Sequence, residues 1–212
     1  MVLPARHRFF VWAQIIVVYI FVELALWAPT RHLLKRWALL AVIAIAAAVL
    51  LDRPSRTRLG FRIPTVRAAT LIIGVSIAGV LLMLALTKLA GGAIPANPSW
   101  SPDLRSSFGY LIWALMQEFI LQSFFFTRFE DLYGSANAVW TASTLFALAH
   151  LPSPILTVAT LIGALFFCEM FRRYRSLYPL AIVHAMLGLT LAFVVPDSLM
   201  HHMRVGIGYL RY

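Results

Sequence analysis

LIWALMQEFILQSFFF (111–126), VWTASTLFALAHL (139–151) and LYPLAIVHAMLGLTLAFVV (177–195) decide how this chain folds. Each is apolar enough to enter a bilayer, and each carries an ionisable side chain: Glu118, His150 and His184. Such a group in hydrocarbon costs several kcal/mol or more, so it faces the interior of a helix bundle and marks a site. A glutamate and two histidines on three different helices are the raw material of a hydrolytic or a metal site.

The rest of the chain agrees with a membrane setting. Of 212 residues, 61% are hydrophobic and only 12% charged, and mean hydropathy is +0.84. A soluble domain carries about 25% charged residues. The expected class is therefore an all-α, polytopic membrane helical bundle of about seven to eight transmembrane helices. With about 20 residues per span, seven candidates emerge near 9–28, 33–51, 68–90, 107–127, 136–151, 154–171 and 177–195. Net charge is +10. The basic residues cluster in short connections rather than in a patch or helical stripe, which excludes nucleic acid as a partner and leaves the lipid bilayer.

Connections carry further signals. RPSRTRLGFRIPTVR (53–67) holds five arginines and reads as a polar loop. GGAIPANPSWSPDLRSS (91–107) is rich in Pro and Gly and reads as the longest loop, on the opposite face. Eleven of the eighteen Lys and Arg fall on the face of the N-terminus, 53–67, 128–135 and 172–176. The positive-inside rule then places the N-terminus in the cytoplasm, in the cell (inner) membrane. The first apolar run reads as a retained span, not a cleaved signal peptide. The tail 196–212 is too short and too broken by Pro and Gly to span, and its basic and aromatic residues suit an interface. The chain thus divides into N-terminal transmembrane helices and loops (1–106), a core holding the ionisable residues (107–195), and an interfacial tail.

On a helix, Gln122 shares a face with Glu118 at i+4, so Gln117, Glu118, Gln122 and Ser123 form a polar stripe. A hydrogen-bonding cluster between helices would look the same. His150 ends its apolar run before LPSP, close to a helix terminus. Counting depth at ~1.5 Å per residue puts Glu118, His150 and His184 about 10 Å or more apart. Cys168 reads as a small buried hydrophobe. Glu169 is within reach of Arg172 and Arg173 at i+3 and i+4, an end-of-helix ion pair. Glu23 reads as an interfacial acid near Arg31 and His32.

QEFILQSFFFTRFE (117–130), FALAH (146–150) and AIVHAMLG (181–188) together resemble the CAAX protease and bacteriocin-processing family of intramembrane proteases. That family's pattern is Glu-Glu-x-x-x-Arg, then Phe-x-x-x-His, then His-x-x-x-Asn or Asp, each on its own membrane helix. The resemblance covers roughly 107–195. It implies catalytic Glu118, His150 and His184, supported by Gln117, Gln122, Phe146 and Gly188. In the implied mechanism a carboxylate and a histidine activate water, with His150 the partner of the glutamate, and His184 donates to the oxyanion. Gln117 stands at the family's first glutamate, Gln122 at its arginine and Gly188 at its Asn or Asp.

The leading expectation is an intramembrane endopeptidase, a hydrolase acting on a membrane-anchored protein or peptide, with no cofactor. A prenylated substrate and a sorting-signal or peptide-processing role are equally open. The three departures also fit an inactive relative that serves as a membrane scaffold or immunity protein. A third reading is an enzyme using a divalent metal such as zinc, held by Glu118, His150, Glu169 and His184, since these side chains suit such ions. No HExxH helix accompanies them. A transporter with a Glu/His relay lacks the inverted repeat it would need.

Overall fold

The computed structural model describes residues 4–91 and 104–211, and the described residues are predominantly helical. Residues 92–103 of the proposed long loop at 91–107 lie outside them, and 104–107, read as loop, already belong to a helix. Three long helices come first: α1 (Ala5–Leu26), α2 (Arg31–Asp52) and α3 (Val66–Leu89). Thr30 and Thr65 cap α2 and α3, their hydroxyls accepting from the amides of Leu33 and Ala68 at 3.3 Å; such a cap satisfies one of the orphan donors of a first turn. Leu39, Val42, Leu81 and Leu82 stay exposed on these helices, as a lipid-facing surface requires.

The site helix differs from expectation. α4 (Leu104–Glu118) runs on through a π-helical segment (Phe119–Phe126) into α5 (Thr127–Tyr133). Residues 128–133, read from sequence as loop, are therefore helical, and the break falls at Gly134, whose φ of +81° favours glycine. Beyond it come α6 (Ser135–Leu148), α7 (Pro154–Tyr174) and α8 (Tyr178–Val194). Pro154 and Pro179 stand in the first turns of α7 and α8, where the missing N–H costs nothing.

Four helices, α1, α2, α3 and α7, are long and apolar enough to cross a membrane. A fifth span arises if α8 is counted with the short helices after it, across a bend of 116°. Helix α6, with 14 residues, is about 21 Å long and falls short of a ~30 Å hydrocarbon core. The tail forms α9 (Asp197–Met200), a 3-10 turn (His201–Met203) and α10 (Ile207–Leu210). It folds back on the bundle: Gly206 N–H donates to Leu151 O at 2.8 Å and Arg211 donates to Pro29 O at 2.6 Å.

The arginine-rich connection 53–65 is docked rather than loose. Ser123 Oγ donates to Leu59 O at 2.6 Å, and Leu177 N–H donates to Gly60 O at 2.9 Å. Phe61 stacks on Phe119 with centroids 6.1 Å apart. Gly60 has φ +84°, and a Cβ there would meet Phe171 Cε2 at 2.6 Å and Leu177 Cγ at 2.7 Å. Gly60→Ala combines a left-handed backbone penalty with overpacking. A loss of about 3 kcal/mol is expected, read as a lower unfolding midpoint in detergent; an unchanged midpoint would mean that the connection is not held there.

Candidate active site

Glu118 is the last residue before the π-helical segment, a local widening that recurs at functional sites. Its side chain is 0% exposed. Burying a carboxylate is tolerated only when it is paired and hydrogen-bonded, and both of its oxygens have partners. His184 Nδ1 lies 2.8 Å from Oε1, and Gln122 Nε2 donates to Oε2 at 3.2 Å. The helical i+4 spacing read from the sequence supplies the second contact. The first crosses from α4 to α8, two helices that pack side by side.

The separation of about 10 Å or more counted along the sequence does not hold for Glu118 and His184, which the packing of α4 on α8 brings to 2.8 Å. The His184 ring stacks on Phe167 from α7, with centroids 5.3 Å apart and planes 14° apart.

His150 follows the end of α6, as the LPSP break suggested. Its Nδ1 lies 2.8 Å from Phe146 O; because a carbonyl only accepts, Nδ1 carries the hydrogen and Nε2 of the neutral ring is left as an acceptor. Phe146 packs near both imidazoles, with centroids 4.9 Å from His150 and 6.4 Å from His184. The glutamate–histidine contact is thus made by His184, and Phe146 neighbours both histidine rings. The tail's Gly206 bonds to Leu151, next to His150, whereas His201 stacks on Tyr209.

The remaining candidates separate cleanly. Gln117 is half-buried and Gln122 is fully buried, with Oε1 unpartnered. Ser123 faces the 53–65 connection. Cys168 is free and fully buried, as read. Glu23 accepts from Trp27 Nε1 at 3.2 Å, so its partner is the indole rather than Arg31 or His32. Glu169 is held by Arg172, with contacts of 2.7 and 2.8 Å, and by Arg173. Those ion pairs draw it away from the four-residue metal set, and among the described residues no group of three or more His, Cys, Asp and Glu comes together to hold an ion.

Gly188 is the contact that sequence reading left unexplained. Built onto its backbone, a Cβ would lie 3.1 Å from Cε1 and Cζ of Tyr110 and nearer still to the phenol hydroxyl. Tyr110 was not among the sequence candidates. An aromatic in an aromatic-rich helix gives no signal of its own, and only the packing of α4 on α8 brings it to position 188.

The segment that builds this site, residues 100–190, matches the family model for Rce1-like, type II CAAX prenyl endopeptidase Rce1-like proteins. The resemblance read from the motifs is thereby shown for this segment. No curated protein and no solved structure matches the chain. The apolar helices mark an integral membrane protein, and its segment 100–190 is similar to that protease family.

Proposed function

We propose that the protein is an intramembrane endopeptidase that hydrolyses a peptide bond in a membrane-anchored protein or peptide. The 2.8 Å contact between Glu118 and His184 carries the reading. A buried carboxylate that fixes an imidazole at Nδ1 leaves Nε2 to take a proton, and it stabilises the imidazolium that forms. In this scheme the two histidines exchange the roles implied by the resemblance. His184 Nε2 is the base, and Glu118 acts through it instead of touching water. His150 Nε2 accepts the other hydrogen of the same water and fixes its direction of attack. Gln122 holds the second oxygen of Glu118, and Phe146 packs near both rings. No step needs a metal.

The match supports a CAAX-type, prenylated C-terminal peptide as the first substrate to try. An N-terminus in the cytoplasm and residence in the inner cell membrane complete the proposal, supported by the eleven basic residues on one face. Within it, 1–106 supplies flanking helices, 107–195 the catalytic core and 196–212 the interfacial tail. The inactive-relative reading draws on Gln117, Gln122 and Gly188. Against it stands Glu118, whose buried pairing gives the carboxylate a partner without Gln117.

The test is N-terminal labelling of host membrane proteins with wild type, Glu118→Gln, His184→Ala and Glu169→Gln. Fragments should appear with wild type, vanish with the first two and persist within about twofold with Glu169→Gln, as expected for the loss of a partly exposed ion pair. Fragments that persist with His184→Ala would end the peptidase reading. Fragments that vanish with Glu169→Gln would revive the four-residue metal set.

A further inference from the structure

Gly188 lies one helical turn beyond His184 on the same face of α8. The Tyr110 phenol occupies the space that any side chain at 188 would need, so a hydroxyl from α4 stands about 6 Å along the helix from the His184 position. The donor arrangement gives that placement meaning. Nδ1 of His184 is committed to Glu118, and Nδ1 of His150 to Phe146 O. In their neutral forms both rings therefore present acceptors at Nε2. They can hold the hydrogens of a water, but neither can donate to a carbonyl oxygen as attack begins. A phenol O–H can.

Resting on the peptidase reading above, we infer that the Tyr110 hydroxyl is the oxyanion donor of this site, and that Gly188 is required because only glycine leaves room for it. The water oxygen bonds to the carbonyl carbon while its proton passes to His184 Nε2. The carbonyl π pair moves onto oxygen, which accepts the Tyr110 hydrogen bond. Collapse returns that pair, breaks the C–N bond, and the leaving amine takes the proton from His184. Nothing is oxidised or reduced. Tyr110 is thus a catalytic residue by direct contact with the reacting oxygen.

The test uses full-length protein in detergent and a peptide copied from the cleavage site that depends most on Glu118 in the labelling experiment. Tyr110→Phe keeps the ring and removes only the donor; kcat should fall about 10²- to 10³-fold, the usual cost of one oxyanion donor, with KM within about twofold. Gly188→Ala leaves the hydroxyl but evicts the phenol, and should fall comparably. Tyr110→Ala with Gly188→Asn, which offers an amide donor from the other helix, should recover about tenfold over Tyr110→Ala alone. Equal melting midpoints separate these losses from misfolding. Wild-type kcat in Tyr110→Phe, or a loss confined to KM, overturns the inference while a dead Glu118→Gln leaves the peptidase reading standing. Absence of any Glu118-dependent cleavage removes that reading, and this inference with it.

Discussion

Glu118→Gln is expected to lower turnover about 10⁴-fold while leaving the fold intact, the size of loss seen when a carboxylate that orients a catalytic histidine becomes an amide. The substitution is nearly isosteric. Its carbonyl oxygen can still accept from His184 Nδ1, so the ring keeps its position. The new amide nitrogen would face the Gln122 Nε2 that now donates to Oε2, an unfavourable pairing of two donors. A flip of the Gln122 amide relieves it, because Gln122 Oε1 is buried and unpartnered and can accept. What disappears is the negative charge that stabilises the imidazolium during proton transfer. Loss in kcat with an unchanged melting midpoint is the expected pattern. A variant that cuts at more than about one-tenth of the wild-type rate would show that Glu118 is structural, and His184 would then need another source of activation. Gln117→Glu supplies a contrasting arm: because Glu118 already pairs with His184, adding Gln117→Glu to Glu118→Gln should rescue little.

Much of this arrangement was readable from residue chemistry. Of the three costly ionisable groups, Glu118 and His184 meet in space, and the motif order agrees with the family match over 100–190. Helix cores near 9–28, 33–51 and 68–90 were visible because each is a long apolar run between turn residues. What escaped reading was three-dimensional. The 128–133 segment looked like loop because Arg128, Glu130 and Asp131 are charged, yet each finds an opposite charge across the bundle, which lets the helix continue. The π-helical register from Phe119 to Phe126 has no signature in FILQSFFF. Which histidine meets Glu118 depends on the packing of α4 against α8, and spacing along the chain does not determine that. Gly188 illustrates the same limit: in sequence it was a missing donor, whereas in space it is the opening for Tyr110.

Arg128→Ala should cost about 3 kcal/mol, the lower end for breaking a buried charge pair. The Arg128 side chain is 5% exposed and ties three segments together. Nε donates to Gln14 Oε1 of α1 at 2.7 Å, one terminal nitrogen pairs with Asp52 of α2 at 2.9 Å, and the other donates to Phe124 O at 3.2 Å. The guanidinium also lies 3.8 Å over the Phe124 ring. Asp52 is 35% exposed, so water can partly rehydrate it once the arginine is gone, which keeps the loss away from the upper end of the range. Gln14 Oε1, by contrast, loses the Arg128 donor, while Phe124 O keeps the Thr127 hydroxyl at 3.2 Å. Arg128→Lys should recover less than half of the loss, because a single ammonium cannot serve three directed acceptors and a ring face together. Asp52→Asn should cost less than Arg128→Ala, since the arginine keeps Gln14, Phe124 O and the ring. Denaturant midpoints in detergent for the three variants check the ordering. If Asp52→Asn proves the most damaging, the arginine is held mainly by one charge, and the idea of a three-way tie between α1, α2 and the site helix fails. If the ordering holds, the fully buried Glu118 rests on a helix whose far end is fixed by Arg128.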